Sequence, residues 1–138
     1  MDDEAIDDLR SAIARIARRL KAENADDQLG STQLTVVMLL AREGPHTLGE
    51  LSDFVRVTPP SMNQTVNSLA SLGLVHREPD PHDGRKVLVV ATPAGLAYAN
   101  ETSRRRHEWL SDQLEGISDA DRRALVKATG ILRRIADA

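Results

Sequence analysis

Asn63, Gln64, Asn67, Ser68 and Ser71 bring amide and hydroxyl groups to one stretch of chain at intervals of three to four residues. Such groups donate and accept hydrogen bonds without carrying a charge. On a 3.6-residue period they fall opposite Met62, Val66 and Leu69, so one helix would bury an apolar face and present a polar one. Asn and Gln make paired hydrogen bonds to N6 and N7 of adenine in the DNA major groove, so the polar face suits the reading of base edges. Taken alone, a solvated helix face is the plainer reading of it. A second group lies downstream, where Asp83 and Gly84 precede Arg85 and Lys86. Asp-Gly favours a tight turn. Two cations at its exit suit phosphate oxygens, contacts that position a protein on DNA without reading sequence.

Catalytic chemistry has little to build on. The chain has no Gly-x-Ser-x-Gly, no Gly-rich phosphate loop and no His-Glu-x-x-His. His46, His76, His82 and His107 are scattered, and His82 between Asp80 and Asp83 reads as a turn tip rather than a metal site. The expectation is a protein that is not an enzyme and carries no metal and no cofactor.

The elements that must position these residues can be read from caps and periodicity. Thr58 is a suitable N-cap, Pro59 fits the first helical position and Gly73 the left-handed position past the end. Upstream, Thr47 and Glu50 form a capping-box pattern, and Leu48, Leu51 and Val55 follow at helical spacing. Arg56 to Thr58 leaves room only for a turn, so the two helices make a helix-turn-helix whose second member is the reader. Leu74 to Arg77 and Val87 to Ala91 are β-rich runs. The segment from Glu78 to Arg85 holds Pro79 and Pro81, which keep it out of helix and central strand. A hairpin following a reader helix is a winged helix.

The stretch from Leu48 to Gly95 resembles the winged-helix core of the MarR family of bacterial transcription regulators. The resemblance rests on Leu51, the Val57-Thr58 turn, the helix to Leu69, Gly73-Leu74-Val75, Arg77, the Asp83-x-Arg85 wing and Thr92-Pro93-x-x-Gly95. Flanking helices and length extend it over nearly the whole chain. The chain departs from the family where a basic residue is common, at Gln64 and Ser68, and has Ala91 where Leu is frequent. The expected DNA-contacting set is Thr58, Pro60, Ser61, Asn63, Gln64, Asn67 and Ser68 from the reader helix, with Asp83, Arg85 and Lys86 from the wing.

Composition bounds the rest. The 138 residues fit one domain by length, and 41% apolar residues suffice for a core. Phe54, Tyr98 and Trp109 are the only aromatics, so that core is aliphatic. Cysteine is absent, which rules out disulfides and thiolate metal sites. No apolar run approaches the roughly 18 residues of a membrane span, and the acidic N-terminus is unlike a signal peptide. A cytoplasmic, nucleoid-associated protein is expected. The net charge of −3 leaves no strongly basic segment. DNA binding must then rely on local placement and on doubled contacts in a dimer.

A first helix over 5–24 carries the stripe Ile6, Leu9, Ile13, Ile16 and Leu20; Arg10, Arg15, Arg18 and Arg19 on its flanks read first as a solvated face and second as cations that bridge to a partner subunit or anchor an anionic ligand. Asn24 to Gly30 reads as a polar connector. Ser31 and Thr32 are placed to cap a second helix with Leu34, Val37, Met38 and Ala41 inward, ending at Gly44-Pro45. Val36, Leu39 and Leu40 widen its apolar surface, so the helix is expected to be buried. Thr92 and Pro93 start a long helix to about Leu114. Its Arg104, Arg105, Arg106 and His107 point in different directions and do not form one patch. Ser118 with Asp121 caps a last helix bearing Leu125, Val126, Ile131, Leu132 and Ile135.

The expected architecture is mainly α with a small β-hairpin. It is one MarR-like domain over 1–138, with a winged-helix core at 31–95 and dimerisation helices in 1–30 and 96–138. The apolar stripes at both chain ends suit packing between subunits, and the resemblance implies a homodimer. Such a dimer reads a roughly palindromic site in double-stranded DNA with half-sites about 10 base pairs apart. The resemblance further implies a repressor relieved by a small aromatic or phenolic effector, held among the first, second and fifth helices. The competing reading is a winged-helix protein-interaction module that does not bind DNA, suggested by the uncharged reader face and the acidic balance.

Overall fold

The computed structural model describes residues 1–23 and 28–138. Residues 24–27 of the expected connector lie outside that range. The chain runs α1 (Asp3–Ala22), α2 (Ser31–Glu43), β1 (His46–Thr47), α3 (Leu48–Val55), α4 (Pro59–Ser71), β2 (Val75–Pro79), β3 (Val87–Ala91), α5 (Pro93–Leu114) and α6 (Asp119–Ala136). It forms two compact units, residues 1–106 and 107–138.

The helix starts follow side-chain capping. In α3 the Thr47 hydroxyl accepts from the Glu50 N–H at 3.1 Å, and Glu50 Oε1 accepts from the Thr47 N–H at 3.0 Å. Hydrogen bonding of the Glu50 carboxylate to Thr47, first to its backbone N–H and then to its hydroxyl, holds that carboxyl below its ordinary pKa. Ser118 caps α6 through the Asp121 N–H. Asp2, not singled out in the sequence, caps α1 by accepting from the Ala5 N–H at 2.8 Å. Two starts differ from expectation. The first helix begins at Asp3 and ends at Ala22. At α2 the cap residue is Gly30, and Ser31 is already helical. Gln33 Oε1 accepts from the Gly30 N–H at 2.8 Å, and neither Ser31 nor Thr32 is the cap.

The sheet has three antiparallel strands in the order β1-β3-β2 rather than a lone hairpin. His46 and Thr47 pair with Val89 and Leu88, forming a third strand two residues long. β2 continues through Glu78 and Pro79, which the sequence places in the loop. Pro79 is tolerated because β2 is an edge strand and ends there.

The core of the first unit is aliphatic and centred on α2. Val36, Val37, Leu39 and Leu40 are all but fully buried and Leu34 nearly so, whereas Met38 and Ala41 are only half-buried. The inward face of α2 is therefore wider than its simple stripe, with Val36, Leu39 and Leu40 among its deepest residues. Leu51, Met62, Val66, Leu69, Val75 and Val89 close the core from α3, α4 and the sheet. The base of the hairpin is joined to α5 through Thr92. Its hydroxyl donates to the Gly73 carbonyl and accepts from the Gly95 N–H, and its own N–H donates to the Leu74 carbonyl. Gly73 has φ 76°, a left-handed conformation that places it past the end of α4. A Cβ on Gly95 would stand 2.1 Å from the Leu74 carbonyl oxygen, so only glycine allows this close approach.

The terminal helices α1 and α6 contain no buried residue. Ile6, Leu9, Ile13 and Ile16 on α1 are exposed, as are Leu125, Val126, Ile131, Leu132 and Ile135 on α6. Among the described residues, no helix is long and apolar enough to cross a membrane.

Candidate nucleic-acid interface

α4 is built as its sequence pattern predicts. The Thr58 hydroxyl accepts from the Ser61 N–H at 3.3 Å and donates to Ser61 Oγ at 3.0 Å. Both hydroxyls therefore serve the helix start. Met62, Val66 and Leu69 are fully buried beneath the helix. Asn63, Gln64, Asn67, Ser68 and Ser71 are all exposed, and Pro60 and Ser61 lie exposed in the first turn. Ser71 Oγ donates to the Asn67 carbonyl at 3.0 Å. The turn before α4 is held by Arg56, in the left-handed conformation at φ 62°, and by its N–H and that of Val57 donating to the Ser52 carbonyl.

The wing tip lies between Pro79 and Val87, the last pair of β2 and β3. Across it the Asp80 N–H donates to the Lys86 carbonyl at 3.0 Å, and the Lys86 N–H closes a turn on the Asp83 carbonyl at 3.0 Å. Asp80 Oδ1 accepts from the His82 N–H at 2.8 Å. Asp83 Oδ1 accepts from both the Arg85 N–H and Arg85 Nε. The Arg85 side chain is nevertheless 92% exposed, so its guanidinium is held at one edge and open to solvent elsewhere. Lys86 is also exposed.

Sequence reasoning counts Arg77 only within the family pattern, not among the contacting residues. Its Nη2 donates to Asn67 Oδ1 at 2.8 Å and to Asn63 Oδ1 at 3.1 Å. The link follows from strand geometry. Side chains two apart on a strand share a face, so Arg77 stands on the side of β2 that buries Val75 against the core. Just beyond the core's edge it meets α4. An arginine two residues after a buried valine is the signal available in the sequence.

Of the three consecutive arginines expected to point in different directions, only Arg106 diverges. Arg104 and Arg105 converge on Glu101, with a closest contact of 2.6 Å. Their hydrogen bonds hold the Glu101 carboxyl down to about 2. Arg106 Nε instead donates to the Leu20 carbonyl at 3.0 Å, linking α5 to the end of α1. Partial burial there lowers the Arg106 pKa from its ordinary value, but a guanidinium remains charged.

Next to that link is a cleft of about 390 Å³. Its apolar lining includes Leu20, Leu34, Met38, Leu39 and Phe54, and its cations are Lys21, Arg42 and Arg106. Apolar walls together with cationic side chains suit a small anionic molecule with an apolar body.

Residues 27–86 match the family model described as MarR family. The chain is 38% identical to an uncharacterized HTH-type transcriptional regulator of Mycobacterium leprae, covering 94% of this chain and 91% of that one. A MarR family protein from Bacillus stearothermophilus has the same fold, with a TM-score of 0.86, 22% identity and coverage of 100% and 99% of the two chains. BpsR of Bordetella bronchiseptica, whose DNA binding is regulated by 6-hydroxynicotinic acid, aligns with a TM-score of 0.67 and 27% identity over 94% of this chain and 91% of that one.

Proposed function

The chain belongs to the MarR family and is a DNA-binding transcription regulator; from that premise we propose that it acts as a homodimeric repressor released from its operator by a small aromatic acid. The observation that carries the DNA-reading part is the exposed, uncharged face of α4, together with the exposed cations of the wing. In this reading Gln64, Asn67 and Ser68 meet base edges, with Asn63 beside them. Thr58, Pro60 and Ser61 bring the start of α4 to the backbone, where helix N-termini favour phosphate. Arg85 and Lys86 meet phosphates beside the groove, and Asp83 preorganises Arg85.

The dimer is supported by the isoleucines and leucines of α1 and α6 that stand exposed in the single chain. Two-fold symmetry then sets a roughly palindromic operator with half-sites about 10 base pairs apart. Residues 31–95 serve as the reading module and the flanking helices as the dimer scaffold. The working compartment is the cytoplasm, at the nucleoid.

The ligand class is supported by the cleft at Lys21, Arg42 and Arg106 and by the acid that regulates the Bordetella protein. A carboxylate would meet the cations and a ring would lie against Leu34, Met38 and Phe54. Because the cleft joins α1, α2, α3 and α5, a bound molecule favours one placement of the reading module over another. It shifts DNA affinity by its differential affinity for the two placements. The test is a gel shift on the chain's own promoter region, with and without a panel of hydroxylated aromatic acids. A retarded band that one of the acids releases supports the reading, and no band at any protein concentration contradicts it.

A further inference from the structure

We propose that Arg77 is a positioning residue for the reader helix: it orients the side-chain amides of Asn63 and Asn67 so that both present NH2 donors to the DNA. The inference rests on the DNA-reading role assigned above to α4.

A guanidinium carries only donors. The atom of each amide facing Arg77 Nη2 must therefore be the carbonyl oxygen, and both oxygens lie within hydrogen-bond distance, at 2.8 and 3.1 Å. This matters because the last torsion of an asparagine side chain is broad. An exposed amide left to itself presents its oxygen or its nitrogen with similar ease. Asn63 and Asn67 are one helical turn apart and both exposed, so without Arg77 each would sample both faces. One arginine, on a strand anchored by the buried Val75 and paired at Arg77 with the buried Val89, removes that freedom from two readers together.

The consequence is chemical. With its oxygen turned towards Arg77, each amide offers N–H groups to the groove. Donors match N7 and O6 of guanine, N7 of adenine and O4 of thymine, and they clash with the N4 amino group of cytosine. Asn63 and Asn67 thus reject cytosine, whereas Gln64 keeps the two-bond contact to adenine. The positive charge of Arg77 lies behind the amides and polarises their N–H groups without itself touching a base.

The plain alternative is that Arg77 simply contacts a phosphate. Binding-site selection from random DNA, followed by affinity measurements over a range of salt, separates the two. The proteins compared are the full chain, Arg77→Ala, Arg77→Lys, the pair Asn63→Ala with Asn67→Ala, and that pair combined with Arg77→Ala. Arg77→Ala is expected to lose at least about fivefold in base preference, at the positions where the asparagine pair also loses it. Adding it to the pair should change preference no further, the non-additivity of groups that act together. Arg77→Lys keeps the charge but not the planar fork, and should keep the salt dependence without restoring the preference. The lysine variant also carries the test should the alanine variant not fold.

A wild-type motif retained by both Arg77 variants, with uniformly weaker binding and a salt slope smaller by about one per subunit, would overturn the inference and make Arg77 a phosphate contact. Equal loss at every position in a variant with a native circular dichroism spectrum would contradict it as well. If the wild-type chain enriches no motif at all, the DNA-reading role of α4 fails first and the inference falls with it.

Discussion

Asp83 Oδ1 accepts from Arg85 twice, from the backbone N–H at 3.1 Å and from Nε at 3.3 Å. One carboxylate oxygen thus fixes both the turn and the direction of the side chain that leaves it. The remaining guanidinium nitrogens face solvent, ready for a phosphate. Arg85→Ala should weaken binding to all DNA sequences alike and lower the salt slope by about one unit per subunit. Asp83→Ala should reproduce part of that loss, because Arg85 keeps its charge but not its aim. Fluorescence anisotropy on specific and random duplexes across a salt series checks both. Unchanged affinity of Arg85→Ala at low salt removes the wing from the mechanism.

The exposed stripes make a prediction about assembly. Ile13, Ile16 and Ile131 are each more than 40% exposed in the single chain. A stable dimer of this kind buries about 2,000 Å² or more. Sedimentation at micromolar concentration should show only dimer for the wild type. Ile13→Asp with Ile16→Asp should give monomer, since two charges would be buried without partners. A monomeric wild type would sink the dimer reading.

Gly95 offers a stability test away from any DNA contact. Its missing side chain lets α5 start against the Leu74 carbonyl. Gly95→Ala forces that backbone apart and should cost about 1–3 kcal/mol, the usual range for overpacking. Thermal unfolding with and without the substitution measures it, and an unchanged midpoint would mean that α5 can shift without cost.

Glu101 gives a pH prediction. Its carboxyl is held down to about 2 by hydrogen bonds from Arg104 and Arg105, against an ordinary value of 4.5. A folded-state pKa below the unfolded one means the contribution is present above about 4.5 and lost as pH falls towards 2. The site is exposed, so the effect on stability is small. The side-chain carboxyl resonance of Glu101 should titrate near 2, and should move up towards 4.5 in a variant carrying Arg104→Ala and Arg105→Ala. A wild-type midpoint near 4.5 would show that the two arginines do not engage it in solution.

The local signals in the sequence are legible because their partners are local. The caps at Thr47, Thr58 and Ser118, the buried face of α4 and the left-handed Gly73 are each settled within a few residues. What is not legible depends on chain brought from afar. β1 is two residues with no alternation to read, and it exists because Val89 and Leu88 pair with it across some forty positions. The bridge from Arg77 to Asn63 and Asn67 spans 14 and 10 residues. It needs the sheet to be laid against α4 before either end has a meaning. The contacting set drawn from motifs alone therefore holds the amides but not the side chain that orients them.

The central claim, that the outer face of α4 reads base pairs, is tested most directly at Gln64. This residue is exposed in the middle of that face. A two-bond contact between a glutamine and adenine is worth about 1–3 kcal/mol of discrimination. Binding-site selection on the wild type, Gln64→Ala and Gln64→Arg is the measurement. The wild type should return a two-fold motif with an A·T pair at one symmetric position in each half-site. Gln64→Ala should lose preference at that position alone with its salt slope unchanged, and Gln64→Arg should turn it towards guanine. If all three proteins return the same motif with equal stringency, α4 is not the reading element.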